Sequence, residues 1–134
     1  MAERLRSVSH LFNLVDTCNR CSTVFRIANE RLHDNRFEDF SEKLREILDL
    51  FVFELQKESR RIGASDFGPA RTFELNCENP ALLRVRASSE LEHTVEGYDA
   101  TLSAPLPGHS RAMVQRQRQA LTMLLQDFQH LSLT

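Results

Sequence analysis

The stretch TCNRCS, residues 17–22, holds two cysteines three residues apart, a spacing that puts both side chains on one face of a helix. Glu90 and His93 have the same spacing further along the chain. Two thiolates, a carboxylate and an imidazole are ligand types that zinc accepts in a tetrahedral site. Cys18, Cys21, Glu90 and His93 are therefore candidate ligands for zinc or iron, and the two cysteines alone are a candidate redox pair.

Whether these side chains meet depends on the helices that carry them. Apolar residues recur at alternating three- and four-residue steps through four segments, as expected for helices that each bury one face. The pattern predicts helices over about 5–33, 36–62, 80–103 and 110–131, within a single domain of residues 1–134. The buried faces are marked by large apolar side chains, among them Leu11, Val15, Phe25, Phe37, Leu44, Phe51, Leu83, Leu91, Leu121 and Phe128.

Local signals place the helix ends. Asn35, with Glu38 three residues later, predicts a capping box at the start of the second helix, and Gly63 is a typical helix stop. Asn79 followed by Pro80 predicts the start of the third helix, because proline at the first helical position loses no hydrogen bond. The segment APLPG, residues 104–108, separates the last two helices.

The connection over residues 63–79 decides the topology. These 17 residues extend up to about 55 Å at about 3.3 Å per residue, enough to travel the length of a bundle and make the third helix parallel to the second. An up-down bundle, the alternative, needs far fewer residues. The prediction is an all-α four-helix bundle with a long crossover between helices 2 and 3, which is the ferritin-like arrangement.

Three stretches carry a resemblance to a known family: ELQKESRRIG at 54–63, EHTVEGYDATL at 92–102 and LPGHSRAMVQRQ at 106–117. Through them the chain resembles an uncharacterised bacterial family of ferritin-like four-helix proteins, and the resemblance extends from about Leu11 to Leu131. It implies a ferritin-like fold and is compatible with dimerisation. It implies no particular activity.

Ferritin-like carboxylate enzymes bind two metals with a Glu from each of two helices and a Glu-x-x-His pair from each of the other two. This chain has Glu30-x-x-His33 and the near-match Asp127-x-x-His130, but both lie in the last turn of a helix, where exposure is expected. Helix 2 has no such pair. The ligand set of a metal enzyme is therefore incomplete.

The middle of the bundle leaves three interpretations open. Glu90 and His93 are expected nearly level with Cys21, which fits a metal site. Free cysteine also packs as a small apolar group, and Leu91 occupies the apolar stripe of helix 3. Core packing of Cys18 and Cys21 is favoured, with a metal site and a redox pair as the alternatives.

A second polar group is expected at a similar depth. Asp16, Glu54 and Tyr98 fall on roughly one level, and the family pattern has matching residue types at Asp16 and Tyr98. A buried tyrosine hydroxyl needs a hydrogen-bond partner, and a carboxylate can accept a hydrogen bond from it. The group predicts a structural hydrogen bond, with the remnant of a metal-binding centre as the alternative.

Composition limits the partners. The 17 Lys and Arg residues are intermixed with 19 Asp and Glu residues for a net charge of −2, so there is no basic stripe for nucleic acid. No apolar run approaches the roughly 20 residues of a membrane span, and MAERLRSVSH lacks the apolar core of a secretory signal. Cys18, Cys21 and Cys77 make an odd count, so we expect reduced thiols and a cytoplasmic location.

The sequence favours association over catalysis. It contains no Gly-rich phosphate loop, no Walker-type lysine and no nucleophile with a convincing base. Helix 2 is apolar over more than one stripe, as is usual for a helix buried on two sides, so Leu50 and Phe53 are predicted interface residues. We expect a non-catalytic bundle that forms a homodimer or binds a protein partner. The alternative is a zinc- or iron-binding ferritin-like protein.

Overall fold

The computed structural model describes the backbone of residues 2–64 and 79–133, and the side chains of residues 6–64 and 79–131. These residues form four α-helices and no strand: α1 (Ala2–Leu32), α2 (Asn35–Arg61), α3 (Pro80–Leu102) and α4 (Gly108–Leu133). The prediction of an all-α protein with four helices is confirmed. Most of the predicted crossover segment, including Cys77, lies outside the described residues.

The N-terminal cap of α2 is Asp34, and the prediction of Asn35 was wrong by one position. The Asp34 carboxylate accepts hydrogen bonds from the backbone N–H groups of Arg36, at 2.9 Å, and Phe37, at 3.4 Å. Asp and Asn are equally good caps, so two adjacent candidates give the same sequence signal. The helix itself then begins at Asn35.

The other predicted caps agree with the structure. The side chain of Asn79 accepts from the backbone N–H of Ala81 at 3.0 Å, and Pro80 occupies the first helical position of α3. Ile62 caps the end of α2, and Gly63 follows it with a φ of 124°, a conformation that glycine adopts without steric cost.

Contacts between the helices fix their order and direction. α1 packs against α2 and α3, and α4 packs against α3 and α2, so α1 and α4 are diagonal neighbours, as are α2 and α3. Arg84 near the start of α3 forms an ion pair with Asp34 beyond the end of α1. Ser7, near the start of α1, donates to the carbonyl oxygen of Pro105, beyond the end of α3, at 3.4 Å. α3 therefore runs antiparallel to α1 and in the same direction as α2.

The core is filled by the apolar faces of all four helices. At one end it contains a cluster of four phenylalanines from α1, α2 and α4. The ring centroids of Phe25 and Phe128 are 5.4 Å apart across the diagonal, and those of Phe40 and Phe128 are 4.9 Å apart. Phe37 stacks on Phe25 at 5.6 Å. These distances are typical of favourable aromatic pairs, so the cluster joins two helices that do not otherwise pack together.

At mid-height, α1 and α3 approach closely. A Cβ atom on Gly97 would lie 3.4 Å from the side chain of Thr17, so the glycine leaves little unused space between the helices. The residues that follow these two along α1 and α3 are Cys18 and Tyr98. The close approach therefore brings two residues singled out from the sequence into contact.

Candidate functional site

A chain of polar side chains crosses the middle of the protein and takes one member from each helix. The hydroxyl of Tyr98 in α3 donates to Oε1 of Gln117 in α4 at 2.7 Å, and Nε2 of Gln117 donates to Oε1 of Glu54 in α2 at 3.1 Å. On its other side, the Tyr98 oxygen lies 3.3 Å from Sγ of Cys18 in α1. Cys18, Tyr98 and Gln117 are fully buried. Arg116 ends the chain at the surface with a 2.7 Å ion pair to Glu54.

These hydrogen bonds define where the protons lie. The single hydroxyl proton of Tyr98 is used in the hydrogen bond to Gln117. In the contact with Cys18, the thiol is therefore the donor and the phenol oxygen is the acceptor. Burial raises the pKa of Cys18 to about 12 and raises the pKa of Tyr98 well above its ordinary value. Both groups are neutral at physiological pH. Because the thiolate is the reactive form of cysteine, Cys18 is not a nucleophile in this state.

The polar group predicted from Asp16, Glu54 and Tyr98 is partly assembled. Tyr98 and Glu54 belong to one hydrogen-bonded chain, but Gln117 connects them. Gln117 was not predicted to belong to this group, although an amide can accept from a hydroxyl and donate to a carboxylate at the same time. Asp16 is half-buried on α1 and takes no part in these particular hydrogen bonds.

Cys21, the second thiol of the pair, lies one turn along α1 from Cys18 and is fully buried. Thr94 in α3 lies close enough to this thiol to affect its pKa. Burial raises the pKa of Cys21 far above its ordinary value. A buried, protonated thiol is a poor nucleophile and a poor redox group, so the surroundings of both cysteines favour the packing interpretation over a redox pair.

The other two candidate metal ligands point in different directions. Glu90 is only 2 % exposed, and its Oε1 lies 2.9 Å from Nε of Arg20, while its Oε2 lies 3.4 Å from a guanidinium nitrogen of Arg86. His93, three residues further along α3, is exposed. Two guanidinium groups therefore balance the buried carboxylate, and the structure does not bring His93 to the cysteines.

The remaining acid–histidine pairs are on the surface. Glu30, His33, Asp127 and His130 are all exposed, as the sequence analysis expected. Within residues 6–64 and 79–131, no group of three or more His, Cys, Asp or Glu side chains is placed to hold a metal ion.

Glu58, near the end of α2, forms a second buried polar centre that the sequence analysis missed. Its carboxylate is 2 % exposed and accepts two hydrogen bonds from Arg61, at 2.6 and 2.8 Å. Ser110 donates to it from the start of α4, and Nδ1 of His109 lies 3.2 Å away. These contacts, those from Arg61 above all, lower the pKa of Glu58 to about 2. They also join the end of α2 to the start of α4.

The arrangement of serine, histidine and carboxylate differs from that of a hydrolase. In a catalytic triad the histidine lies between the other two and takes the serine proton. Here Ser110 and His109 both contact Glu58, and Ser110 is fully buried. The cluster has a structural role, because it holds the end of α2 against the start of α4. Its sequence signals were Glu58 three residues before Arg61, and the polar pair His109–Ser110 at the start of helix 4.

The outer side of α2 exposes large apolar side chains, as the interface prediction requires. Leu50 is 53 % exposed and Phe53 is 62 % exposed. They border a groove of about 840 Å³ between α2 and α4, where Met113 adds a third apolar side chain. The groove is also lined by the charged residues Lys57, Arg61 and Arg116 and by His109. We call the stripe formed by Glu46, Leu50, Phe53 and Lys57 the α2 face.

The chain matches no model of a known protein family and no curated protein. None of the described helices is both long enough and apolar enough to cross a membrane. The side chains themselves are therefore the basis for assigning a function.

Glu58→Gln is expected to remove part of the acid sensitivity of folding. The pKa of Glu58 is lower in the folded protein than in the unfolded chain. Its contribution to the free energy of unfolding is therefore fully present above the ordinary pKa of 4.5 and is lost as the pH drops through about 2. Urea unfolding between about pH 7 and pH 3 should show a lower free energy of unfolding for Glu58→Gln at pH 7 and a shallower decline in acid. The exposed residue Glu96 on α3 offers a matched control, and Glu96→Gln should follow the wild type. Equal slopes for the wild type and Glu58→Gln would contradict the assignment.

Proposed function

We propose that the protein is a non-catalytic, ferritin-like helical bundle that works by self-association, as a homodimer joined through the α2 face. The observation that carries the proposal is the exposure of Leu50 and Phe53 side by side in the middle of α2. Apolar side chains clustered on a surface are typical of protein–protein interfaces. The ferritin-like assignment is supported by the parallel directions of α2 and α3, which require a long connection, and by the three stretches that resemble that family.

The charges along α2 make a second copy of the chain the fitting partner. Exposed charged residues in the first half of α2 are mostly acidic, and those in its last turns are basic. The acidic ones are Glu38, Asp39, Glu42, Glu46 and Asp49, beside Arg36 and Lys43, and the basic ones are Lys57, Arg60 and Arg61. Two copies of α2 packed antiparallel place the acidic half of each against the basic half of the other. A two-fold dimer requires such a self-complementary patch, because the same surface serves both partners.

The interior supports association over catalysis. Cys18 donates its proton to Tyr98, Ser110 donates to Glu58, and Glu90 is paired with arginines. Each of these groups is buried and makes these contacts within the fold, and none is presented to a substrate, although Oε2 of Glu90 has no hydrogen-bond partner among the described residues. The side chains that remain available for recognition lie on the surface. Exposed large apolar side chains also occur on α3 and α4, at Leu82, Val85 and Met123, but the α2 face combines two of them with charges of both signs on the same stripe.

Phe53→Glu is expected to convert the dimer into a monomer. Burial of a large aromatic side chain at the centre of an interface contributes about 2 kcal/mol or more, so the dissociation constant should rise about 30-fold or more. Sedimentation equilibrium at micromolar concentrations measures it. Val85→Glu is the matched control, because Val85 is 64 % exposed on α3, diagonally across from α2. A monomeric wild type, or a Phe53→Glu variant that dimerises as well as Val85→Glu, would contradict the proposal.

The second candidate function is zinc or iron binding by Cys18, Cys21, Glu90 and His93. One observation favours it: Glu90 is buried on α3 and lies near enough to Cys21 on α1 for its charge to raise the pKa of the thiol. His93 would have to turn inward to complete the set. Because His93 is exposed and the ligand set is incomplete without it, this function is second to self-association.

Elemental analysis of protein purified in reducing buffer separates the two candidates. Self-association predicts no stoichiometric zinc or iron in the wild type or in Cys18→Ser/Cys21→Ser. One metal per chain, lost in the double variant while the fold is retained, would establish the metal site instead.

A further inference from the structure

We infer that the two copies of α2 pair antiparallel in one register, with Leu50 of each copy against Phe53 of the other and Glu46 of each copy against Lys57 of the other. The inference rests on the homodimer proposed above and specifies its geometry. It follows from the spacing of the α2 face, from its orientation on the bundle and from the order of its charges.

The four residues of the α2 face lie on one seam. They are separated by steps of four, three and four residues, the alternation that keeps side chains facing a partner helix in a coiled coil. All four are exposed. The residues that α2 buries in its own core, such as Leu44, Leu48 and Leu55, lie on the opposite side of the helix. The seam is therefore directed away from the bundle that contains it.

The order along this seam selects the register. In an antiparallel pair, a two-fold axis midway between Leu50 and Phe53 places each of them against the other, and the same axis places Glu46 against Lys57. Leu50 then meets Phe53, and Glu46 meets Lys57, which carries the opposite charge. Sliding one copy by seven residues in either direction would put Leu50 against Glu46, or Phe53 against Lys57. Those registers bury a charge beside an apolar side chain, which is unfavourable.

The flanking charges include pairs that favour this register. Glu46 and Lys57 form no ion pair in the part of the chain that the structure describes, so both are available to a partner. The same axis places Glu42 near Arg61 of the second copy. Two like-charged pairs oppose this register. Lys43 and Arg60 extend the seam by further steps of three residues and face each other at its ends, where both side chains are exposed and can separate into water. Asp49 and Glu54 lie level with each other beside the seam.

The test combines two charge reversals, Glu46→Lys and Lys57→Glu. Each reversal alone turns two attractive pairs of the dimer into repulsive ones, and we expect the dissociation constant to rise on the order of tenfold. An equimolar mixture of the two single variants should recover dimers, because in the mixed dimer both pairs are again of opposite charge. The chain that carries both reversals should recover them as well. Sedimentation equilibrium in low salt measures all of these constants.

Glu96→Lys on α3 is the matched control, since it makes the same charge reversal on an exposed position diagonal to α2, and it should dimerise like the wild type. The register is overturned if the wild type is a dimer and the single reversals leave it unchanged, or if mixing the two variants restores nothing. Those results would overturn the register and leave the homodimer proposal in place. A monomeric wild type would overturn the dimer and the register together.

Discussion

A tyrosine hydroxyl that is sealed from water has to find its hydrogen bonds inside the protein, and Tyr98 finds them on two other helices. Leaving one of these polar groups without a partner would cost about 1–3 kcal/mol. The contact with Cys18 fixes the height of α3 along the bundle relative to α1, and the hydrogen bond to Gln117 fixes it relative to α4. Together these contacts also link α1 with α4, two diagonal helices that meet in the phenylalanine cluster as well, and Gln117 carries the link on to α2 through Glu54.

Two further clusters fix the bundle on either side of this level. Toward one end, the four phenylalanines join α1, α2 and α4 by apolar contact. Toward the other end, Glu58 joins α2 to α4 through Ser110 and His109. In both clusters the side chains serve packing and hydrogen bonding. In other proteins, side chains of these types take part in chemistry or form ligand pockets. Cys18 and Cys21 are buried in the fold, and the outer side of α2 is the surface that we propose for recognition.

Much of the fold could be predicted from the sequence. The spacing of apolar residues shows which face of each helix is buried, and the lengths of the connections show which residues of different helices lie at the same height in the bundle. Glu54 and Tyr98 were expected on one level, and they are linked through a single residue. Gln117 was harder to assign to this group, because it lies among glutamines and arginines typical of a solvated face, and the sequence does not show that it connects Tyr98 with Glu54. His93 differs from Glu90 for a related reason: both flank Leu91, and only the exact rotation of α3 decides which flank is buried. Glu58 sits among charged residues near a helix end, a pattern that usually indicates a solvated surface.

If the interior is a closed, hydrogen-bonded core, the thiols of Cys18 and Cys21 should be shielded from reagents for as long as the chain is folded. The rate at which an aromatic disulfide reagent modifies these two thiols measures this directly, in a Cys77→Ser variant and over urea concentrations below the unfolding transition. The expected result is modification only through unfolding, at a rate that follows the unfolded fraction and is orders of magnitude below that of a free thiol. Rapid modification of the folded protein, or protection that disappears when a chelator is added, would contradict a purely structural role for the pair.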